Sequence, residues 1–172
     1  MRLARIPVAV ALLALIAAPL EAQEESAAPA VGARARFSAR AGATISPDQF
    51  HLGFHVNLGE IAPRLRFQPG AEIGFGSSRT TIVGNVDALY LIHAARTVQV
   101  LAGGGLGFGM QWTEGADSRG LFGGNLVGAV EWGTRPVPHV SQARGSQVRY
   151  VLELRAGLGD LPSFKVTVGL QF

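Results

Sequence analysis

The chain has 172 residues, of which 48% are hydrophobic and 16% charged; it contains no cysteine and carries a formal net charge of +3. These values set aside a disulfide-stapled secreted scaffold and, with no basic cluster interleaved with aromatic residues, a nucleic-acid-binding surface. Beyond Leu20 no stretch approaches 18 consecutive apolar residues, so a helical membrane protein is excluded.

The first residues divide into a basic start (Arg2, Arg5), an apolar run from Ile6 to Leu20 and a small-residue exit at Ala22, the three parts of a secretory signal peptide. The run is shorter than the roughly 20 residues a membrane-spanning helix needs, and Gln23, Glu24 and Glu25 follow at once. Residues 1–22 are therefore expected to be a cleaved signal. Residues 23–32, rich in Ala, Glu and Pro, read as a flexible leader, and 33–172 as one domain.

That domain reads as eight strands with two-residue alternation, at 33–45, 50–59, 64–76, 81–93, 97–112, 121–132, 148–158 and 163–172. Each is long enough for a tilted strand to cross an apolar layer, which takes about 9–11 residues. With both ends periplasmic, the outer connections are 46–49, 77–80, 113–120 and 159–162, only 113–120 being of moderate length. The connection 133–147, with Pro136, Pro138, His139 and Arg144, is long for a periplasmic turn and fits this scheme least well.

One register of these strands holds all nine Phe, both Trp and both Tyr, together with aliphatic residues, and no charge. Phe50, Phe54, Phe75, Phe108, Trp112, Phe122 and Phe164 sort to the outer rim, and Phe37, Phe67, Tyr90, Trp132, Tyr150 and Phe172 to the periplasmic rim. Two aromatic girdles on an uncharged face are the pattern of a transmembrane β-barrel. A soluble, lipocalin-like carrier would turn its aromatic residues inward and has no reason to sort them by rim. The fold class expected is all-β, an eight-stranded antiparallel up-and-down transmembrane barrel.

The opposite register carries Arg34, Arg36, Arg40, His51, His55, Asn57, Arg66, Gln68, Glu72, Asn85, Asp87, Glu131, Arg149, Glu153, Arg155 and Lys165. An eight-stranded barrel is just wide enough for its side chains to fill it, and buried charges must be paired. Arg40, Glu72, Asp87, Glu153 and Arg155 are expected to form an ionic network at mid-height, with Glu131 and Arg149 pairing near the periplasmic rim. Gly103, Gly105, Gly107 and Gly109 make a bare inward stripe. Either they leave room across the lumen for the guanidinium groups of Arg36 and Arg40, or they permit tight curvature of the wall. A nucleotide-binding reading of this glycine run fails because no helix pattern follows it.

The segments 64–76 (RLRFQPGAEIGFG), 85–90 (NVDALY) and 157–172 (GLGDLPSFKVTVGLQF) resemble the small Gram-negative outer-membrane β-barrel domain family, similar to OmpA/OmpX-like barrels. The resemblance implies insertion by the outer-membrane assembly machinery, which reads a terminal aromatic strand, here ending on Phe172. It implies no catalytic residues and no cofactor, and the peptidoglycan-binding domain that follows some such barrels is not expected here. The reading is a structural or interaction protein of the cell outer membrane, its partners being outer-membrane lipid and the assembly machinery. Its extracellular partner is unspecified, and its lumen is charged and largely plugged.

Two other functions are set beside it. A narrow, weakly anion-preferring pore follows if the basic excess of the lumen set governs a leak. A lipid-modifying barrel enzyme would need His51 with Ser46, Ser77 or Ser78 in hydrogen-bond reach. Metal binding by His51 and His55 is disfavoured, because positions i and i+4 on a strand lie roughly 13 Å apart.

Overall fold

The computed structural model describes residues 35–95, 97–133 and 148–172. The expected signal and leader, Arg34 and nearly all of the 133–147 connection lie outside the described residues. The strands are β1 (Arg36–Ile45), β2 (Gln49–Asn57), β3 (Glu60–Ala62), β4 (Leu65–Phe75), β5 (Arg79–Ala94), β6 (Val98–Thr113), β7 (Arg119–Gly133), β8 (Arg149–Gly157) and β9 (Phe164–Gln171).

Every pairing is antiparallel. β1 pairs with both β2 and β9, β2 also pairs with β4, and the ladder runs on through β5, β6, β7 and β8 to β9. The sheet closes on itself as an eight-stranded barrel, which leaves no open edge along the ring. β7 and β8 pair directly from Gly133↔Arg149 inward.

The expected strand bounds hold to within three residues. The exception is β3, which falls in the stretch expected to be the connection between the second and third strands. Gly59, with φ of +95° and its N–H donated to Asn57 Oδ1 at 2.9 Å, breaks the alternation there. Three residues then resume pairing against β4 as a short extension of the wall.

Two ends can be distinguished: the terminal end, where β1 starts and β9 finishes, and the loop end, with the connections 46–48, 76–78, 114–118 and 158–163. The pleat sends alternate side chains to opposite faces. All thirteen aromatic residues lie on the outer face, with Phe37, Phe50, Phe54, Phe108, Phe122 and Phe172 the most exposed of them. At the terminal end Trp132 faces Tyr150 across β7 and β8, with ring centroids 5.9 Å apart and nearly parallel planes. At the loop end Phe50 faces Phe75, and Phe108 faces Phe122. Phe54 departs from the expected outer-rim placement: it pairs with Ala39, two residues along the ladder from the Phe37↔Val56 pair, in the terminal half of the wall.

Candidate functional site in the barrel lumen

The inner face places the expected residues as follows. His51, His55, Asn57, Gln68, Asn85, Asp87, Glu131, Glu153, Arg155, Arg40 and Lys165 are all buried. Arg66 and Arg149 are half-buried at the terminal mouth, and Arg36 there is exposed.

At mid-height the charges form two compensated groups. Arg155 donates through both terminal nitrogens to Asp87, at 3.1 and 2.7 Å, and its Nε and Nη2 reach Glu153 Oε1 at 3.3 and 3.0 Å. The second oxygen of Glu153 takes an ion pair from Arg40, whose Nε also donates to Ser38 Oγ at 3.0 Å. The chain Arg40–Glu153–Arg155–Asp87 therefore joins β1, β8 and β5 across the lumen with no net charge. Glu72 does not enter that network; it pairs with Lys165, linking β4 to β9.

At the terminal mouth Glu131 is shared by Arg66 at 3.2 Å and Arg149 at 3.6 Å. Gln99 Oε1 accepts from the same two guanidinium groups, at 2.9 and 2.5 Å. Glu131 and Arg149 thus meet within a cluster drawn from four strands, β4, β6, β7 and β8, rather than as an isolated pair.

Two clusters of buried apolar residues accompany these charges: Leu89, Leu91, Leu101, Val127 and Ala129 line one wall, and Val83, Leu121 and Leu161 gather toward the loop end. Leu161 belongs to the connection between β8 and β9 and is nonetheless buried. Gly159, at φ +78°, turns that connection back toward the barrel, and the Leu161 side chain seats against the faces of Gly107, Gly123 and Gly157. Outside, Arg119 and Asp160 pair across the same turn.

The glycine stripe on β6 makes room for its neighbours, not for Arg36 or Arg40. A Cβ on Gly105 would lie 2.2 Å from both Asp87 Oδ1 and the Val86 carbonyl, and one on Gly107 would meet Leu161. Gly105 is the partner of Asp87 in the ladder, so its bare backbone lets the carboxylate lean over β6 toward Arg155. The stripe at Gly103 and Gly109 touches only β5 backbone within 3 Å, which fits a tightly coiled wall. Gly105→Ala is expected to cost about 1–3 kcal/mol of stability, the usual range for overpacking, measured by urea titration in detergent micelles.

His51 meets none of the serines named for a catalytic arrangement. Its Nδ1 lies 3.1 Å from Thr44 Oγ1 and its Nε2 2.9 Å from Thr167 Oγ1, so both ring nitrogens are engaged inside the wall. His55 Nδ1 takes a contact of 3.1 Å from Gln68 Nε2. Among the described residues no group of three or more acidic or histidine side chains is placed to hold a metal ion.

No family model and no curated protein matches the sequence. The structure matches the N-terminal β-barrel domain of Pseudomonas aeruginosa OprF with a TM-score of 0.59 at 10% identity, over 80% of this chain and 95% of that one. It also matches Neisserial surface protein A (NspA), with a TM-score of 0.58 at 13% identity, over 80% of this chain and 94% of that one. The fold is that of the small eight-stranded outer-membrane barrels. At these identities the likeness is one of fold, and what the lumen does must be argued from its own residues.

Proposed function

We propose that this chain is a small outer-membrane barrel with a structural or interaction role, its terminal end periplasmic and its lumen plugged. The observation that carries the membrane placement is the outer face. Leu106, Phe108, Phe122, Leu126, Val168 and their neighbours are about half exposed in an uninterrupted belt without a charged residue. A soluble monomer seldom leaves an apolar patch larger than a few hundred Å² in water, whereas a lipid-facing wall requires one. No helix among the described residues is long and apolar enough to cross a membrane, and a barrel needs none.

The plugged lumen is supported by the side chains that bridge it. Arg155 to Asp87 and Lys165 to Glu72 both reach across non-neighbouring strands. Leu161 fills space under the loop end. The expected basic excess of the lumen is not spread along it: the mid-height groups cancel, and the surplus lies with Arg66, Arg149 and the exposed Arg36 at one mouth. That distribution favours a plug over an anion pore, because a selective path needs uncompensated charge or open width at its narrowest point. In planar bilayers the purified protein is expected to give no discrete conductance steps above the empty membrane. Reproducible anion-selective steps would instead support the narrow-pore reading.

A further inference from the structure

At the terminal mouth, two guanidinium groups converge on one carboxylate and a third stands at the same end. Arg66 and Arg149 share Glu131, and Arg36, exposed at the start of β1 opposite Asn57, stands at the same end of the barrel. The cluster therefore holds two more positive charges than negative ones. Gln171, directly opposite Arg149 in the β8–β9 ladder and 1% exposed, has neither its amide nitrogen nor its amide oxygen hydrogen-bonded among the described residues. A buried amide without partners is costly unless something occupies it. The excess is local: at the loop end Asp48, Glu114, Asp117 and Asp160 outnumber Arg79 and Arg119.

Each guanidinium offers five donors in a planar fork, and Glu131 with Gln99 occupies only some of those on Arg66 and Arg149. We propose that the mouth framed by Arg36, Arg66, Arg149 and the Gln171 amide binds a phosphate-type oxyanion. Forked guanidinium donors match phosphate oxygens in geometry and charge. The oxyanion is either free phosphate or the headgroup phosphate of an anionic phospholipid. The site is set by the fold; only the lipid source rests on the membrane placement proposed above.

Trp132 reports on this mouth, since it stacks on Tyr150, the chain neighbour of Arg149. The chain has two tryptophans, and Trp112→Phe leaves Trp132 alone. The full chain carrying that change, folded in dodecyl maltoside at ionic strength fixed with chloride, is titrated with inorganic phosphate and with short-chain phosphatidylglycerol. Short-chain phosphatidylcholine serves as the reference lipid. Saturable fluorescence changes with both phosphate and phosphatidylglycerol assign a free-oxyanion site, and a change with phosphatidylglycerol alone assigns the headgroup. In either case Arg36→Gln, which removes no described ion pair, and Arg149→Gln are expected to weaken binding about tenfold. No saturable change with either probe, or affinities unaltered in both variants, overturns the proposal. A soluble barrel would keep the phosphate response while failing to fractionate with membranes, so failure of the membrane reading is seen separately.

Discussion

Replacing Arg155 by methionine is expected to destabilise the folded barrel by about 3–5 kcal/mol, the range for removing one partner of a buried ion pair. Arg155 is 2% exposed and is the partner through which Asp87, 1% exposed, is bound on both carboxylate oxygens. Glu153 suffers less, because Arg40 still pairs with it. Methionine fills most of the volume, so the loss reports the stranded Asp87 carboxylate rather than a cavity. Adding Asp87→Asn to Arg155→Met is accordingly expected to recover most of the loss, since the remaining Arg40–Glu153 pair is neutral in sum. Urea unfolding in detergent micelles, followed by the electrophoretic shift between folded and unfolded bands, measures both. Equal losses in the single and double variants would show that the network does not hold the lumen together.

The second large effect lies on the opposite face. Leu126 stands at the middle of β7, 57% exposed and pointing outward. Leu126→Arg is expected to cost about 2–4 kcal/mol in a bilayer, the penalty for a guanidinium at the midplane of a lipid-facing strand. In a soluble barrel the same position would be in water, where a surface substitution usually changes stability by no more than about 0.5 kcal/mol. The size of the effect in lipid vesicles, with Thr80→Arg near the loop rim as a shallow control, separates the two environments.

The wall of the barrel was legible in the sequence because the two-residue period leaves a one-to-one trace: a residue's parity fixes its face. That is why the aromatic residues, and inward Arg40, Asp87, Glu153 and Arg155, are placed as their parity requires. The partners of those charges were not legible to the same degree. Which carboxylate meets which guanidinium depends on how the closed ring brings β5 opposite β8 and β4 near β9, and local spacing carries no information about that stagger. Hence Glu72 pairs with Lys165 instead of joining the Arg155 chain.

Two features needed backbone geometry. Leu161 sits in a turn whose Gly159, Asp160 and Pro162 read as surface, and only the niche formed by glycines on β6, β7 and β8 brings it inside. The role of Gly105 follows from the lean of Asp87 across β6, which no pattern of glycines reveals. The inward apolar residues Leu89, Leu101 and Val127 were available to the same parity rule. They show that the lumen is part core as well as part ionic network.

The most direct test of a closed, lipid-embedded barrel is electrophoresis of the protein recovered from fractionated outer membranes, run in SDS with and without boiling. A compact band that moves to the unfolded position only on boiling is the predicted result. Recovery in the soluble periplasmic fraction, with no shift on boiling, would contradict it and turn the apolar belt of Leu106, Phe122, Leu126 and Val168 from a lipid-facing wall into a problem of a different kind.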